Sequence, residues 1–191
     1  MNPSASSAVL KRLDRELWII TAAADARHGG LVATFVSSAS IVDELPRVLV
    51  GLAKHHFTCE LIERSQAFAM HLLREEHLAW VWHFGIATGR DVDKLAGLDW
   101  HPGGTGSPLL ADALGWLECR VEATMDTGDR VIYLAEVLDG QLAQPDVPHL
   151  TFQRLFQLAP AEQLQQLRAL HDRDRVTDAA AIRAWRQARG G

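Results

Sequence analysis

The sequence predicts a mainly β fold with peripheral helices, an antiparallel barrel rather than a doubly wound sheet. Three observations carry that expectation. About seven short apolar segments follow one another with turn residues between them. Few helical stretches separate them, which leaves little room for the crossovers that a parallel sheet needs. Residues 116–142, "WLECRVEATMDTGDRVIYLAEVLDGQL", alternate through Cys119, Val121 and Ala123 and turn at "DTGD", the pattern of a long hairpin. Closing such a sheet on itself removes its exposed edges.

The elements read in order as follows. Val9, Leu10, Leu13 and Leu17 stand at helical spacing and predict an amphipathic helix over 7–16. "LWIITAA" is expected as a strand, "DARHGG" as a turn, and "LVATFVSS", "RVLVGLA" and "AFAMHLL" as further strands. "TCELIERS" reads as a helix with Thr58 as its N-cap. "EEHLAWVWHFG" reads as another, ended by Gly85 or Gly89. Residues 99–110, "DWHPGGTGSPLL", contain too much Gly and Pro for any periodicity and read as a long loop. "HLTFQRLFQL" is the last strand candidate. Beyond Pro160 the composition turns to Gln, Arg and Ala. Two helices are expected there, "AEQLQQLRALHD" and "TDAAAIRAWRQARGG", the first started by Pro160 and the second ended by Gly190. The chain thus divides into a domain over 1–159 and a helical extension over 160–191, which could pack on the domain or on a partner subunit.

Composition narrows the function. Of 191 residues, 48% are apolar, enough for a packed core. A net charge of −5 with no basic run argues against nucleic acid and against a membrane surface as partners. No apolar run approaches the roughly 20 residues of a membrane span, and the first residues lack the apolar centre of a signal peptide. Cys59 and Cys119 sit in no motif and are expected as small core residues of a reduced, cytoplasmic protein. No GxGxxG, GxSxG or HExxH occurs. His77 and His83 are six apart and fall on different helix faces. His55 and His56 are adjacent and would diverge on a regular element. No metal site and no catalytic acid, base or nucleophile is therefore expected. "GGTGSP" at 103–108 reads as a flexible loop.

What remains is a set of hydroxyl-rich and cationic positions at strand ends. Thr34, Ser37, Ser38 and Ser40 end one strand; Lys54, His55 and His56 end the next, just before Thr58 opens a helix. A helix N-terminus presents free N–H groups and partial positive charge, so "KHHFT" can hold an anion. If the two strands are neighbours, both ends could converge on one phosphate. A serine-rich turn beside a capped helix with a solvated lysine explains the same residues equally well.

The order and content of these segments resemble the flavin reductase-like family of FMN-binding split barrels, over roughly residues 17–140. The resemblance lies in "GLVATFVSSASIV", then "GLAKHHFT", then "FAMHLL" at 68–73. It continues in "LAWVWHFG" with Phe84 and in "SPLLADALGWLECRVEATMDTGDRVIYLAEV". It implies a split β-barrel, FMN or FAD as cofactor, NAD(P)H as hydride donor, and a homodimer with the flavin near its interface. By resemblance, Ala33, Thr34, Phe35 and Val36 would lie along the flavin ring. Ser37, Ser38 and Ser40 would approach its ribityl chain and phosphate. Lys54, His55 and Thr58 would complete the phosphate site, and Phe84 would belong to the same site. Trp80, Trp82 and Trp100 are candidates for ring packing, though burial in a core or interface is the commoner fate of Trp.

Two departures from the family pattern stand out. "DELP" replaces an Asp-Pro-Pro, leaving Pro46. Arg130 of Gly128-Asp129-Arg130 stands where the family has histidine. Arginine is no acid or base at neutral pH, but it could hold the pyrophosphate or 2′-phosphate of a dinucleotide. The implied activity is an NAD(P)H:flavin oxidoreductase. Two other readings stay open: an FMN protein that transfers electrons or senses redox state without NAD(P)H, and a barrel that acts only as an interaction module.

Overall fold

The computed structural model describes residues 3–10 and 12–190. In chain order its strands are β1 (Trp18–Ala24), β2 (Arg27–Ala33), β3 (Val36–Ser38), β4 (Arg47–Ala53), β5 (Ala67–Leu72), β6 (Trp100–Pro102), β7 (Pro108–Leu110), β8 (Gly115–Asp126) and β9 (Arg130–Leu142). β6 and β7 pair as a small separate hairpin. The other seven form one antiparallel sheet in the order β2-β1-β5-β8-β9-β4-β3. β2 and β3 are therefore opposite edges of the sheet, yet only Thr34 and Phe35 separate them in the chain. Six strand spacings would part the edges of a flat sheet by about 29 Å. Three Cα steps span at most about 11 Å. The sheet must curl until its edges meet, and the outcome is the split β-barrel expected from the sequence.

Two cores follow from this closure. Inside the barrel, Ile20, Leu31, Val50, Phe68, Met70 and Tyr133 pack against Leu61 and Ile62 of helix α2 (Phe57–Ser65), numbered after α1 (Pro3–Leu10). Cys59 belongs here, with its Sγ 2.9 Å from the Tyr133 hydroxyl. Outside the barrel, Leu17 and Ile19 pack with Val81 and Phe84 of α3 (Leu78–Gly85), Leu110, and Leu155 of α4 (Phe152–Leu158). β1 is thus covered on both faces, which explains an unbroken apolar run where a half-buried strand would alternate.

Several sequence expectations are corrected. The first helix lies at α1, earlier than 7–16, with Lys11 outside the described residues. Val9, Leu10 and Leu13 are exposed, so their stripe finds nothing to pack on, while Leu17 is tied into the sheet through Leu150 and Leu73. The "DARHGG" turn shrinks to Asp25 and Ala26, both at positive φ; Gly29 and Gly30 are strand residues. Gly30 is needed there because a Cβ would lie 2.7 Å from the Phe84 ring. Thr58 is not the cap of α2: His56 is, and Thr58 is buried inside the first turn. The 99–110 loop contains the β6–β7 hairpin. Its glycine turn is fixed by the buried Glu118 carboxylate, which accepts from the Gly104 and Thr105 amides. "HLTFQRLFQL" is helical, not a strand. Thr151 caps α4 by accepting from Arg154 N, and Phe152 and Phe156 meet one turn apart. The two helices expected after Pro160 are one, α5 (Ala161–Ala188), because no Gly or Pro interrupts it.

His71 of β5 ties the β6–β7 hairpin to the sheet. Its Nδ1–H donates to Ile19 O at 3.1 Å, and its Nε2 accepts from Leu110 N at 3.1 Å. The ring is fully buried, and burial lowers its pKa to about 4. The unfolded chain takes up this proton first, so the stability tied to neutral His71 is complete above about pH 6.5 and declines as pH falls toward 4. The urea midpoint should therefore fall through that window. His71→Gln, which keeps one donor and one acceptor, should show a shallower fall.

α5 has no buried residue. Its attachments include an Arg130–Asp178 ion pair of 3.1 Å and a close approach to the hairpin tip. Gly128 sits there at φ +97°, and a Cβ would lie 2.8 Å from Trp185 Cβ and 3.0 Å from Ala181 O. Gly128→Ala combines left-handed strain of about 1–3 kcal/mol with a backbone collision. It should speed hydrogen exchange along α5 by about fivefold or more while β1 and β5 keep their protection, as read by mass spectrometry.

Candidate functional site

A cleft opens where the barrel's edges meet. Its walls are the end of β2, Thr34 and Phe35, the end of β4, the His55–His56 turn and the C-terminus of α3. α4 and α5 lie across it. Two adjoining cavities of about 250 Å³ and 340 Å³ share Thr34, His56, Phe152, His171 and Asp174 in their walls. Thr34 and Phe35 belong to neither β2 nor β3, so their backbone is free of both ladders apart from Phe35 O, which accepts from Gly51 N at 2.7 Å. Gly51 keeps this wall flat, since a Cβ there would meet Phe35 Cβ at 3.2 Å.

The charges around the cleft are unevenly satisfied. Arg130 bonds Asp178 at 3.1 Å and Asp129 at 3.3 Å, and its guanidinium lies 4.7 Å from the Phe35 ring centroid. Arg15 flanks the same ring at 5.1 Å. Lys54 is paired with Asp126 at 2.6 Å. Lys94 differs: it is buried, its Nζ donates to Gly30 O at 3.0 Å and to Phe84 O, and burial lowers its pKa to about 8. His56 is held neutral, its pKa lowered to about 4 by burial first and then by the charges of His55 and Lys94. Asp178 moves the other way, raised by burial against the pull of Arg130. Among the described residues, no three His, Cys, Asp or Glu side chains gather as a metal ion requires, and no helix is long and apolar enough to cross a membrane.

The structure brings together part of the set named from the sequence. Ala33, Thr34, Phe35, His55, Phe84 and Arg130 all line the cleft or its continuation beneath α5. Phe84 forms a wall from the buried side, 1% exposed against Gly30. The His55 and His56 rings lie with centroids 4.4 Å apart, tilted at 42°, and face one cavity, because they occupy a turn and not the regular element assumed from their adjacency.

The serines and Lys54 do not converge. Val36, Ser37 and Ser38 pair with Val50, Leu49 and Val48, so the chain runs away from Lys54 along β4. Ser38 ends beside Val48, six residues and about 20 Å along the chain from that lysine. Ser37, Ser38 and Ser40 bond locally to Ser38 O, Ser40 O and the Val42 backbone. Thr58 is buried within α2. Trp80 stacks on His77, Trp82 is buried, and Trp100 packs on His28, so none of the three lines the cleft. Lys94, Phe152, His171, Asp174 and Asp178 were missed. "DVDKLAG" carries no local signature, and the others reach the site only because α4 and α5 fold across it.

Comparison with known proteins places this geometry. A model of the flavin reductase like domain matches residues 10–158. The chain is 36% identical over 133 residues to a high molecular weight rubredoxin of Moorella thermoacetica, covering 69% of this chain and 57% of that protein. It is 31% identical over 137 residues to a flavin-dependent monooxygenase reductase subunit of Rhodococcus jostii, covering 72% and 68%. Among solved structures, a nitrilotriacetate monooxygenase component B homolog from Mycobacterium thermoresistibile superposes with a TM-score of 0.69 at 27% identity, over 78% of this chain and 81% of that one. With its seven-stranded split barrel and a match that spans most of its length, the chain belongs to the flavin reductase-like family.

Proposed function

We propose that this protein binds FMN in the cleft at the barrel seam and acts as an NAD(P)H-dependent flavin oxidoreductase. The observation that carries the reading is the two-residue seam itself. Thr34 and Phe35 offer backbone groups outside both ladders, beside a flat wall at Gly51 and an aromatic side at Phe84. That arrangement suits a planar, hydrogen-bonding ring, and the larger of the two adjoining cavities, about 340 Å³, falls at the lower end of the size ligand sites commonly have. FAD would place the same ring in the same way.

Bound flavin would supply the redox chemistry by accepting a hydride at N5. The protein's part is to hold and shield. Ala33, Thr34 and Phe35 would orient the ring through backbone groups, and Phe84 and Phe152 would exclude water. The His55 end of the cleft would receive the phosphate tail. No side chain need move a proton.

Arg130 favours a second reading, an FMN protein that transfers electrons or senses redox state without a nicotinamide. Its charge is already matched by Asp129 and Asp178, so it offers no free cation to a dinucleotide phosphate. The remaining expectations fit either reading. Exposed Leu138 and Leu142 on β9 are consistent with a homodimer, and two unpaired, buried thiols are consistent with a cytoplasmic protein.

The purified protein should be yellow or take up added FMN, and the flavin absorbance should bleach on rapid mixing with NADH or NADPH. Bound flavin that neither donor bleaches would favour the second reading; a protein that binds no flavin would end both. His55→Ala should weaken FMN binding about tenfold, the scale of one charge-assisted hydrogen bond. Unchanged affinity would move the tail to the Ser37–Ser40 end of β4.

A further inference from the structure

Lys94 is left unexplained by the reading above. Its side chain is buried and lines the cavity of about 250 Å³. Two of its three N–H groups serve neutral carbonyls, Gly30 O of β2 and Phe84 O of α3. Among the described residues no carboxylate pairs with it, and burial is the one cause that lowers its pKa. A buried charge without a counter-charge is costly. A tie between two carbonyls needs only a neutral donor, so the charge asks for another explanation.

We propose that Lys94 is an anion-binding residue of the cleft. Its remaining N–H and its charge would take an oxygen of a nucleotide phosphate, either the phosphate of the flavin or the pyrophosphate of the dinucleotide. The surroundings agree with this assignment. His55 and His56 face the same cavity from the turn before α2, and His171 and Arg173 face it from α5, where Asp174 is the opposing acid. On Lys94's own loop, Asp93 is engaged by His28, and His83 of α3 bonds the Lys94 carbonyl, not its amine. The ligand thus supplies the missing negative charge. The inference rests on the nucleotide-binding reading and adds to it the group that meets the phosphate.

An anion beside Lys94 stabilises its ammonium and raises its pKa. Ligand binding above about pH 8 should then take up part of a proton, and affinity should weaken as pH rises from 8 to 10. The test is calorimetric titration at pH 8.5 in two buffers of different ionisation enthalpy, with FMN, riboflavin and NADH, on the wild type and on Lys94→Met. The substitution keeps the aliphatic stem, and comparison with it subtracts whatever the neighbouring histidines contribute.

We expect proton uptake in the wild type, its loss in Lys94→Met, and binding of the same ligand weakened about tenfold. Uptake with FMN but not riboflavin assigns the flavin phosphate; uptake with NADH alone assigns the dinucleotide. Equal uptake in wild type and variant, or binding without uptake, overturns the assignment of Lys94 alone. Failure of all three ligands to bind overturns the nucleotide reading and this inference with it. If Lys94→Met does not fold, Lys94→Gln, which keeps an uncharged donor for Gly30 O and Phe84 O, takes its place with the same expected and overturning results.

Discussion

The two residues between β2 and β3 are the constraint on which the rest depends. They join strands at opposite edges of a seven-stranded sheet, so the sheet has one way to satisfy chain connectivity: it closes. Closure gives Ile20, Phe68 and Tyr133 a shared interior and lets α2 plug it. It also leaves β1 in the middle of the molecule, with a second core on its outer face. The same two residues lie outside β2 and β3, with Phe35 O bonded to Gly51 N of β4, because the backbone is crossing between edges there. A binding surface with free backbone groups is therefore a by-product of closing the barrel.

Charge then separates the two ends of the seam. Arg130 and Lys54, the cations most visible in the sequence, are each matched by acids, Arg130 by Asp129 and Asp178 and Lys54 by Asp126. The exposed Lys54–Asp126 pair stabilises little and the Arg130 pairs are half-buried, but together they remove free positive charge from the hairpin tip. Lys94 is the contrary case: it is the more deeply buried and has only neutral partners. A ligand carrying phosphate would find the unmatched field near His55 and Lys94, not near Arg130.

Much of the fold was legible in the sequence because local chemistry and packing agree. The hairpin at Gly128 and most barrel strands follow from patterning and turn residues; "LVATFVSS", however, reads as one strand where the structure breaks it at Thr34 and Phe35, and the family resemblance alone marked that stretch as important. The failures have physical causes. "HLTFQRLFQL" has the aromatic content of a strand, but a Thr151 cap and the Phe152–Phe156 spacing outweigh it. The serines and Lys54 looked convergent because both end strands, yet antiparallel register carries them apart along β4. Lys94 was invisible since nothing nearby in sequence shows that Gly30 and Phe84 will enclose it.

The sequence offers no catalytic dyad, and a mechanism carried by a cofactor would need none. A protein whose cofactor does the chemistry needs a shaped, partly dry site more than it needs an acid or base. The described residues supply that shape mainly through backbone and small residues. Gly51 flattens one wall, Gly30 lets Phe84 close another, and Thr34 and Phe35 expose main-chain groups. Such features leave weak sequence signals because the groups that act are common to every residue. The family match ends at residue 158, before the roof, α5, whose Asp174, Asp178 and His171 enter the walls while none of its residues is buried. Its Leu167 packs against the outer core and its Ala181 and Trp185 close on Gly128, so the roof is fixed at the cleft and at the hairpin tip alike.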